Sequence, residues 1–408
     1  MATIKPFKAL RPAKKLAQQI AALPYDVYNR QEAKDIVTKN PLSFLQIDRG
    51  ETLLGNQIGL YDDQVYEMAK ARFNQMIDEK QFIQDETEAL YIYELERLGK
   101  IQRGIVGCVL AKEYISGTIK KHENTREVKE DDRIRHIDAL KAHTGPIFLT
   151  YKNTKNMQEV FEEVLARAKV IFEFTGDDEV RHKGYVIKNI KDIEKIQEKV
   201  QKMNGLYIAD GHHRAASAAK IAQKYHFEGE SAEFLAVAFP DSELEILDYN
   251  RVVKDLNNLS KEEFFERLET NFTILSKSKE PFAPKDKGTF GMYFDHTWYG
   301  LVFNGVESLG DDPVRRLDVA ILQEFLLQPI LGIEDPRTSE RIDFVGGIRG
   351  LGELEKRVHE DMAIAFAMKA TSIQELIDVS DANRLMPPKS TWFEPKLRSG
   401  LFIHQIDK

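Results

Sequence analysis

An acid, a glycine, two histidines and an arginine stand next to one another in one short stretch of the chain. They are Asp210, Gly211, His212, His213 and Arg214. An arginine can hold a phosphate through two parallel hydrogen bonds, and histidine side chains add further donors. The acid would repel a phosphate unless it binds a metal, binds a substrate hydroxyl or takes a proton. The combination therefore predicts chemistry on a phosphorylated ligand.

The residues on either side indicate a strand-to-helix turn. Residues 205–209 form a short apolar run, as in a buried strand. An alanine-rich helix is predicted from the turn to about Tyr225, because alanine is the best helix former. A helix N-terminus has free N–H groups and a partial positive charge, which favour an anion. The alternative is that Asp210 and Gly211 only cap the helix and that the histidine pair lies on the surface or in the core.

Two N-terminal stretches, 23–28 and 40–49, mix apolar anchors with prolines and isolated polar residues. Asp26 and Arg49 are therefore candidates for side chains held at a site, Arg49 as a substrate ligand. The alternative is a pair of surface turns with ordinary polar residues.

A second polar concentration lies between Lys120 and His143. His122 and Glu123 fall in a predicted loop, where site residues tend to sit. Arg133 falls on a helix predicted over residues 131–142, and we expect it to help bind phosphate. The alternative is a solvated charged loop.

Near the C-terminus, two prolines precede Lys389, Ser390 and Thr391. The prolines favour an extended approach, so these three side chains are candidates for contacts with a ligand's phosphates. The block is not a P-loop, because the G-x-x-x-x-G-K frame is absent. The alternative is a tail strand that closes a sheet.

Composition restricts the class of protein. The 408 residues include 58 Lys and Arg against 66 Asp and Glu, a net charge of −8, which argues against nucleic acid as a partner. The single cysteine, Cys108, excludes a disulfide framework and a cysteine-rich zinc site. We find no signal peptide and no apolar run near the ~20 residues of a membrane span, so we expect a cytoplasmic protein without a membrane partner. The sequence does not give the oligomeric state, and a homo-oligomer stays open.

Helical and strand-like patterns alternate irregularly along the chain. Two strand-like runs joined by residues 97–100 predict a hairpin, and a second hairpin is predicted around residues 295–297. They predict an α+β fold with a mixed β-sheet core and flanking helices. We expect one unit over residues 1–408, with a core over 1–240 that contains the turn and an α+β insertion or subdomain over 241–310. A helical segment over 311–408 is expected to bring the P-P-K-S-T block back to the core. Within the segment 311–408, residues 317–331 are predicted to form one strongly apolar helix.

Several blocks resemble the bacterial and archaeal family called domain of unknown function 1015. The matching blocks are residues 23–27, 40–49, 122–125, 132–133, 210–214, 335–343 and 386–391. That family in turn resembles the ParB/sulfiredoxin-like superfamily, whose members carry a G-x-H-R or G-x-R-R turn that binds nucleotide phosphates at a helix start. The resemblance implies a ParB/sulfiredoxin-like nucleotide-binding core with additions, in which Gly211, His213 and Arg214 take the phosphate-binding positions.

The superfamily includes free-serine kinases that form O-phosphoserine, CTP-dependent DNA partition proteins and sulfinic acid reductases. In the kinases the base is a glutamate near the N-terminus, and the nearest equivalent by order is Asp26. The reductases need a cysteine in the turn, where this chain has His212, which argues against that activity.

The leading hypothesis is a kinase of the free-serine type that acts on a small-molecule substrate with ATP or ADP and Mg²⁺. Asp26 or Asp210 would accept the hydroxyl proton or help hold Mg²⁺, and the sequence does not choose between them. His122, His212 and Ser390 are further candidate phosphate ligands, as are Lys389 and Thr391, while Glu123 is a candidate substrate ligand.

Two other classes stay open. A nucleotide-binding regulator of the ParB type would use the same turn without a base, although the charge of −8 and the lack of an evident helix-turn-helix argue against it. A metal hydrolase would use His212, His213 and an acid, but the i, i+4 histidine spacing of H-E-x-x-H is missing, and no residue is assigned as a metal ligand. For the kinase, we expect Asp26, Arg49, Arg133, Arg214 and Lys389 to share one pocket built by residues from both termini.

Overall fold

The computed structural model describes residues 1–406, which form 13 α-helices and 20 β-strands. The predicted α+β class is confirmed. The helices are α1 (Ala17–Ile20), α2 (Arg30–Lys39), α3 (Leu45–Asp48), α4 (Asp63–Asp78), α5 (Ala111–Ile115), α6 (Glu127–Leu140), α7 (Lys155–Leu165), α8 (Ile190–Gln201), α9 (His212–Lys224), α10 (Lys261–Leu268), α11 (Asp318–Leu322), α12 (Gly352–Glu360) and α13 (Ile373–Asp381).

The strands are mostly short, and the longest one has 11 residues. They are β1 (Leu10–Pro12), β2 (Phe82–Gln84), β3 (Leu90–Arg97), β4 (Lys100–Leu110), β5 (Ile119–Lys120), β6 (Ala142–His143), β7 (Ile147–Tyr151), β8 (Lys169–Thr175), β9 (Arg181–Ile187), β10 (Leu206–Asp210), β11 (Glu233–Pro240), β12 (Glu245–Leu247), β13 (Tyr249–Val253), β14 (Phe272–Ser278), β15 (Thr289–Phe294), β16 (Thr297–Phe303), β17 (Ile342–Gly346), β18 (Ile364–Ala367), β19 (Trp392–Glu394) and β20 (His404–Gln405).

The chain divides into two compact units. Unit 1 comprises Met1–Lys121, Thr125–Leu244 and the segment from Pro395 onward, and unit 2 comprises His122–Asn124 and Glu245–Glu394. Strands from both sides of residue 310 share one sheet of unit 2, so the division expected at that residue falls inside this unit.

Unit 1 is built on an eight-stranded mixed sheet with the order β5-β10-β7-β11-β4-β3-β9-β8. The pairs β5–β10 and β7–β11 are parallel, and the other neighbours are antiparallel. The predicted hairpin is formed by β3 and β4, whose turn residues Leu98 and Gly99 both have positive φ, as a tight two-residue turn requires. The β8–β9 hairpin completes the sheet, with β8 as its last strand.

The strand and helix predicted around the polar turn are both present. The apolar residues of β10 are buried, and the alanines of α9 pack into the same core. Small side chains let this helix lie close to the sheet. Helix α8 adds its apolar stripe of Ile193, Ile196 and Val200 to the core.

A second core of unit 1 joins α2, α3 and α4 to the small β1–β2 sheet. Phe44, Phe73 and Phe82 meet edge to face at its centre. The C-terminal segment closes this core, since β20 pairs with β6 and Ile403 is fully buried. Helix α6 begins at Glu127, four residues before the predicted start, so its N-terminus lies nearer to the polar turn.

Unit 2 contains a six-stranded antiparallel sheet with the order β14-β16-β15-β18-β13-β17. The hairpin predicted around residues 295–297 is present as β15 and β16. The single helix predicted over residues 317–331 is wrong: α11 ends at Leu322 and a π-helical stretch, Gln323–Leu327, follows it. Apolar spacing alone does not distinguish an α-helix from a stretch with i→i+5 bonding.

Across residues 1–406, no helix combines the length and apolar character that a membrane crossing requires.

Candidate functional site

The strand-to-helix turn of unit 1 leaves the start of α9 open. Gly211 precedes the helix with φ +95°, and no side chain caps its N-terminus. The first turn carries no acidic residue. A Cβ at Gly211 would lie 3.0 Å from Nη2 of Arg214, so glycine favours both this left-handed backbone conformation and the close approach of the guanidinium. The guanidinium and the helix N-terminus thus place positive charge at one point.

Asp210 is held by a lysine from the C-terminal segment. Its Oδ2 lies 3.0 Å from Nζ of Lys396. Burial alone would raise the pKa of Asp210, but Lys396 and Arg214 outweigh it and hold the pKa well below the usual range. Asp210 is therefore ionised at neutral pH, and a carboxylate of such low basicity is a weak proton acceptor.

His213 and Asp26 lie close enough for their charges to interact. Nε2 of His213 accepts a hydrogen bond of 3.0 Å from the backbone N–H of Arg126, which places the proton of the neutral ring on Nδ1. Burial lowers the pKa of His213, and Asp26 and Glu130 partly offset that effect. Asp26 is exposed. A neutral histidine and an exposed carboxylate therefore stand beside the turn.

A cleft with an empty volume of about 460 Å³, including space open to solvent, lies next to this turn within unit 1. It combines two guanidinium groups with hydroxyl, imidazole and carboxylate side chains. Its lining residues are Pro24, Tyr25, Asp48, Arg133, His136, Ile137, His143, Thr144, Gly145, Ile147, Arg214, Leu235 and Ser399. Residues from the N-terminal stretch, from the turn and from the C-terminal segment thus meet in one place.

Arg133 is fixed in the cleft wall by charge and by stacking. Its Nε and Nη2 lie 2.9 and 2.8 Å from Oδ2 of Asp132. The other carboxylate oxygen of Asp132 accepts a 2.9 Å hydrogen bond from Tyr66. The guanidinium carbon is 3.9 Å from the centroid of the Tyr25 ring. Arg133 is therefore a permanently charged and immobile group.

A buried carboxylate and a neutral histidine, Asp48 and His136, also line the cleft. Thr144 donates a 3.0 Å hydrogen bond to Oδ1 of Asp48. Nε2 of His136 lies 3.0 Å from the carbonyl oxygen of Ile47. Burial lowers the pKa of His136 to about 4, and the charge of Arg133 acts in the same direction. His136 is therefore uncharged at neutral pH.

His143 offers a buried hydrogen-bonding atom to the cleft. Its ring hydrogen-bonds the backbone of Glu233 and stacks on His404 at 5.7 Å and 10°. Burial lowers the pKa of His143 to about 3, and His404 adds to the effect. Among residues 1–406, Nε2 of His143 has no hydrogen-bond partner. A buried atom of this kind costs about 1–3 kcal/mol unless a ligand or water satisfies it.

Arg49, a predicted substrate ligand, is not among the residues that line the cleft, but it holds a turn next to it. Its Nη1 donates to the carbonyl oxygens of Tyr25 and Tyr28 at 2.9 and 2.7 Å, and its Nε pairs with Glu51 at 2.5 Å. The guanidinium thus holds the turn that carries Tyr25 and Asp26. Because these contacts engage it, direct contact between Arg49 and a substrate stays a prediction.

The other predicted phosphate and substrate ligands are divided between the two units. His212 is the buried first residue of α9 in unit 1. His122 and Glu123 belong to unit 2, as do residues 389–391. Within that unit, the hydroxyl of Ser390 donates to the Pro387 carbonyl at 2.6 Å. The roles assigned to these residues stay predictions.

Asp48, Thr144 and Ser399 line the cleft but were not singled out from the sequence, and neither was Lys396, which pairs with Asp210. Lys396 follows the predicted Lys389 by seven residues in the same C-terminal block. Ser399 is placed by backbone pairing with Ala22. Its hydroxyl oxygen lies 2.9 Å from the Cβ position of Gly145, which explains a glycine there.

No curated protein matches the chain. Solved structures that resemble it include a free serine kinase in complex with AMP, with 12% identity and a TM-score of 0.35 over 71% of this chain and 86% of that one. SbnI from Staphylococcus aureus, with a C-terminal truncation, has 11% identity and a TM-score of 0.37 over 71% and 84%. A conserved hypothetical protein from Pyrococcus furiosus has 15% identity and a TM-score of 0.32 over 73% and 94%.

At TM-scores this low, these likenesses carry no argument about what the chain binds. A family model gives the firmer result. The model of the proteins of unknown function called DUF1015 matches residues 4–320, and the chain belongs to that family.

Proposed function

We propose that the chain is a phosphotransferase that phosphorylates the hydroxyl of a small molecule, with free L-serine as the acceptor and ATP or ADP as the donor. The observation that carries the proposal is the meeting of Arg214, the uncapped N-terminus of α9 and the fixed Arg133 around one cleft. Phosphoryl transfer depends on positioning and on neutralising charge, and these groups supply both.

In this proposal the turn binds the phosphates of the nucleotide. Gly211 lets the phosphates approach the backbone, and Arg214 adds charge-assisted hydrogen bonds. Arg133 lies deeper in the same cleft, and its pair with Asp132 keeps the guanidinium in place. Lys396 is a further cation within reach of the turn, since Asp210 holds it there.

Asp26 is our choice for the residue that accepts the hydroxyl proton. It is exposed and has no hydrogen bond or ion pair with another described residue, whereas Asp210 is engaged by Lys396. The low basicity of Asp210 also makes it the weaker proton acceptor. Asp210 would instead position Lys396 toward the phosphates.

Mg²⁺ fits the chemistry of the donors at this site. Carboxylate oxygens are the ligands that the ion prefers, and Asp26 offers one that is exposed. When bound with a nucleotide, Mg²⁺ would neutralise charge on the phosphates.

The test is a phosphorus NMR time course of the full chain with ATP or ADP, Mg²⁺ and L-serine. We expect an O-phosphoserine signal that is lost in Arg214→Ala and strongly reduced in Asp26→Asn. Arg135→Ala is the matched control, because Arg135 is a partly exposed arginine on α6 that does not line the cleft. A phosphoserine signal that persists in Arg214→Ala would contradict the assignment of the turn.

One observation favours a second candidate, a nucleotide-binding regulator without catalysis. Asp210 is already neutralised by Lys396, which leaves Asp26 as the acid assigned to proton transfer. If Asp26 has no catalytic role, the same experiment would show broadened nucleotide signals and no new phosphate ester. Unchanged spectra would contradict both candidates.

A further inference from the structure

A second opening in unit 1 shares no lining residue with the cleft. This groove has an empty volume of about 1050 Å³, including space open to solvent. Five basic residues and one acid line it, together with apolar side chains. The lining residues are Arg11, Lys14, Asp85, Arg167, Lys169, Val170, Ile171, Val186, Lys188 and Asn189. We call this opening the basic groove.

The two arginines of the basic groove are already matched to carboxylates. Nε and Nη2 of Arg11 donate to the two oxygens of Asp85 at 3.0 and 2.9 Å. Nη2 of Arg167 lies 2.6 Å from the buried Asp192. These pairs fix both arginines and use their fork geometry, so neither is available to grip a planar carboxylate in the same way.

The three lysines of the basic groove are different. Lys14, Lys169 and Lys188 are exposed, and none of them forms an ion pair or side-chain hydrogen bond with another described residue. Other exposed lysines of the same unit do have acidic partners, as in the pairs Lys195–Glu163 and Lys220–Glu130. Three uncompensated positive charges therefore converge in one groove of a chain whose net charge is −8.

The floor of the groove has two further features. Val170, Ile171 and Val186 give it an apolar surface. Asn189 is the N-cap of α8, so the start of a 12-residue helix lies at the same groove; the side chain of Asn189 accepts a hydrogen bond from the backbone N–H of Lys191, and Asp192 is an acid in the first turn. The groove therefore combines charged side chains with an apolar surface.

We propose that the basic groove is a second ligand site, which binds a phosphorylated small molecule that carries several negative charges. Lysine ammonium groups act as point charges, and they suit the spread charge of phosphates. The apolar floor would take the uncharged part of the same molecule. The proposal does not depend on the function of the cleft, because the two openings have no residue in common.

A competing explanation is protection of the sheet edge. Strand β8 is the last strand of the eight-stranded sheet, and lysines on such strands prevent pairing with other chains. This role would need no ligand. It predicts that loss of the lysines causes self-association rather than a change in binding.

The experiment is titration calorimetry of the full chain with tripolyphosphate at about 0.15 M salt, where weak surface attraction is largely screened. The test variant is Lys14→Gln with Lys169→Gln and Lys188→Gln. The matched control replaces three other exposed lysines of unit 1, Lys39→Gln, Lys70→Gln and Lys202→Gln. Arg214→Ala removes the proposed phosphate contact of the cleft. Light scattering on each sample reports self-association.

We expect the test variant to weaken tripolyphosphate binding roughly 3- to 100-fold, from three ion pairs of ordinary strength. The control variant should bind like the wild type, and Arg214→Ala should keep the groove-dependent binding. Three results would overturn the proposal: equal weakening in the control, binding abolished by Arg214→Ala alone, or self-association of the test variant without loss of affinity. Since Arg214→Ala is measured separately, failure of the groove and failure of the cleft are distinguishable.

Discussion

The cleft and the basic groove both concentrate positive charge, but they differ in whether the charged groups are paired with acids. In the cleft, Arg133 is buried and bound to Asp132, and at the strand-to-helix turn Lys396 is bound to Asp210. In the groove, three lysines stand exposed and form no ion pair or side-chain hydrogen bond with another residue of 1–406. Paired, immobile charges cost folding free energy in advance and need no rearrangement when a ligand arrives, which suits catalysis. Free lysines adapt to a ligand and suit binding alone.

The largest effect should come from breaking the buried pair of the cleft. Arg133→Met leaves the buried Asp132 without its cation, and we expect a loss of about 3–5 kcal/mol in the free energy of unfolding. Urea denaturation of Arg133→Met measures this loss, and Arg135→Met, on the same helix, is the control. Arg135 is partly exposed, and its replacement should cost less than about 1 kcal/mol. Equal costs would show that the cleft charges are no more fixed than surface ones.

The next effect concerns pH. The pKa values of His136 and His143 are lowered from 6.5 to about 4 and about 3, so in acid the unfolded chain binds protons that the folded chain does not. Stability is therefore fully present above pH 6.5 and falls as the pH drops toward these values. Each histidine contributes about 1.4 kcal/mol per pH unit to this loss.

Between pH 6 and 4, the slope of the unfolding free energy against pH measures how many more protons the unfolded chain binds than the folded chain. We expect His143→Gln to reduce this slope by the contribution of one proton. Denaturation series at stepped pH measure this slope directly. A slope identical to that of the wild type would mean that His143 is not held in its neutral form.

A smaller effect is expected at the pair of Asp210 and Lys396. Asp210 is about a third exposed, so solvent screens the pair, and we expect a coupling free energy of about 1 kcal/mol. A double-mutant cycle with Asp210→Asn and Lys396→Met measures it. Because the pKa of Asp210 is lowered from 3.8, this coupling should be present above pH 4 and fade as the pH falls below it. Coupling that grows in acid would contradict the assignment.

The smallest effect is expected in the basic groove. Replacing Lys14, Lys169 and Lys188 by glutamine should change the free energy of unfolding by less than about 0.5 kcal/mol each, because no folded-state partner is lost. A gain in stability would support mutual repulsion among the three charges. A large loss would mean that they hold the fold, and it would end the contrast with the cleft.

Local patterns in the sequence predict the parts of the site that neighbouring residues determine. The apolar run before Asp210 and the alanines after Arg214 predict the strand, the turn and the helix correctly. Two strand-like runs joined by residues 97–100 likewise predict the β3–β4 hairpin. These elements follow from backbone preference and periodicity, which act over a few residues.

Residues that come from distant parts of the chain are not predictable in this way. Asp48, Thr144 and Lys396 reach the site through sheet pairing and packing, and no local signal marks them. The histidines are a related case, because burial rather than residue type keeps His143 neutral. Arg49 stands out in the sequence as an isolated polar residue between apolar anchors, but its contacts with carbonyl oxygens are visible only in the folded chain.

The pairing of Asp210 with Lys396 also orders events during protein synthesis. The two residues are 186 positions apart, and Asp178 and Arg398 are 220 apart. A ribosome adds about 5–20 residues per second, so the nascent chain carries Asp210 for roughly 10 to 40 s before Lys396 is made. During that interval the residues of the turn and of α9 have been synthesised, but Lys396, whose charge neutralises Asp210, has not. The cleft is therefore among the last parts of the molecule to mature, and a growing chain cannot expose a finished site.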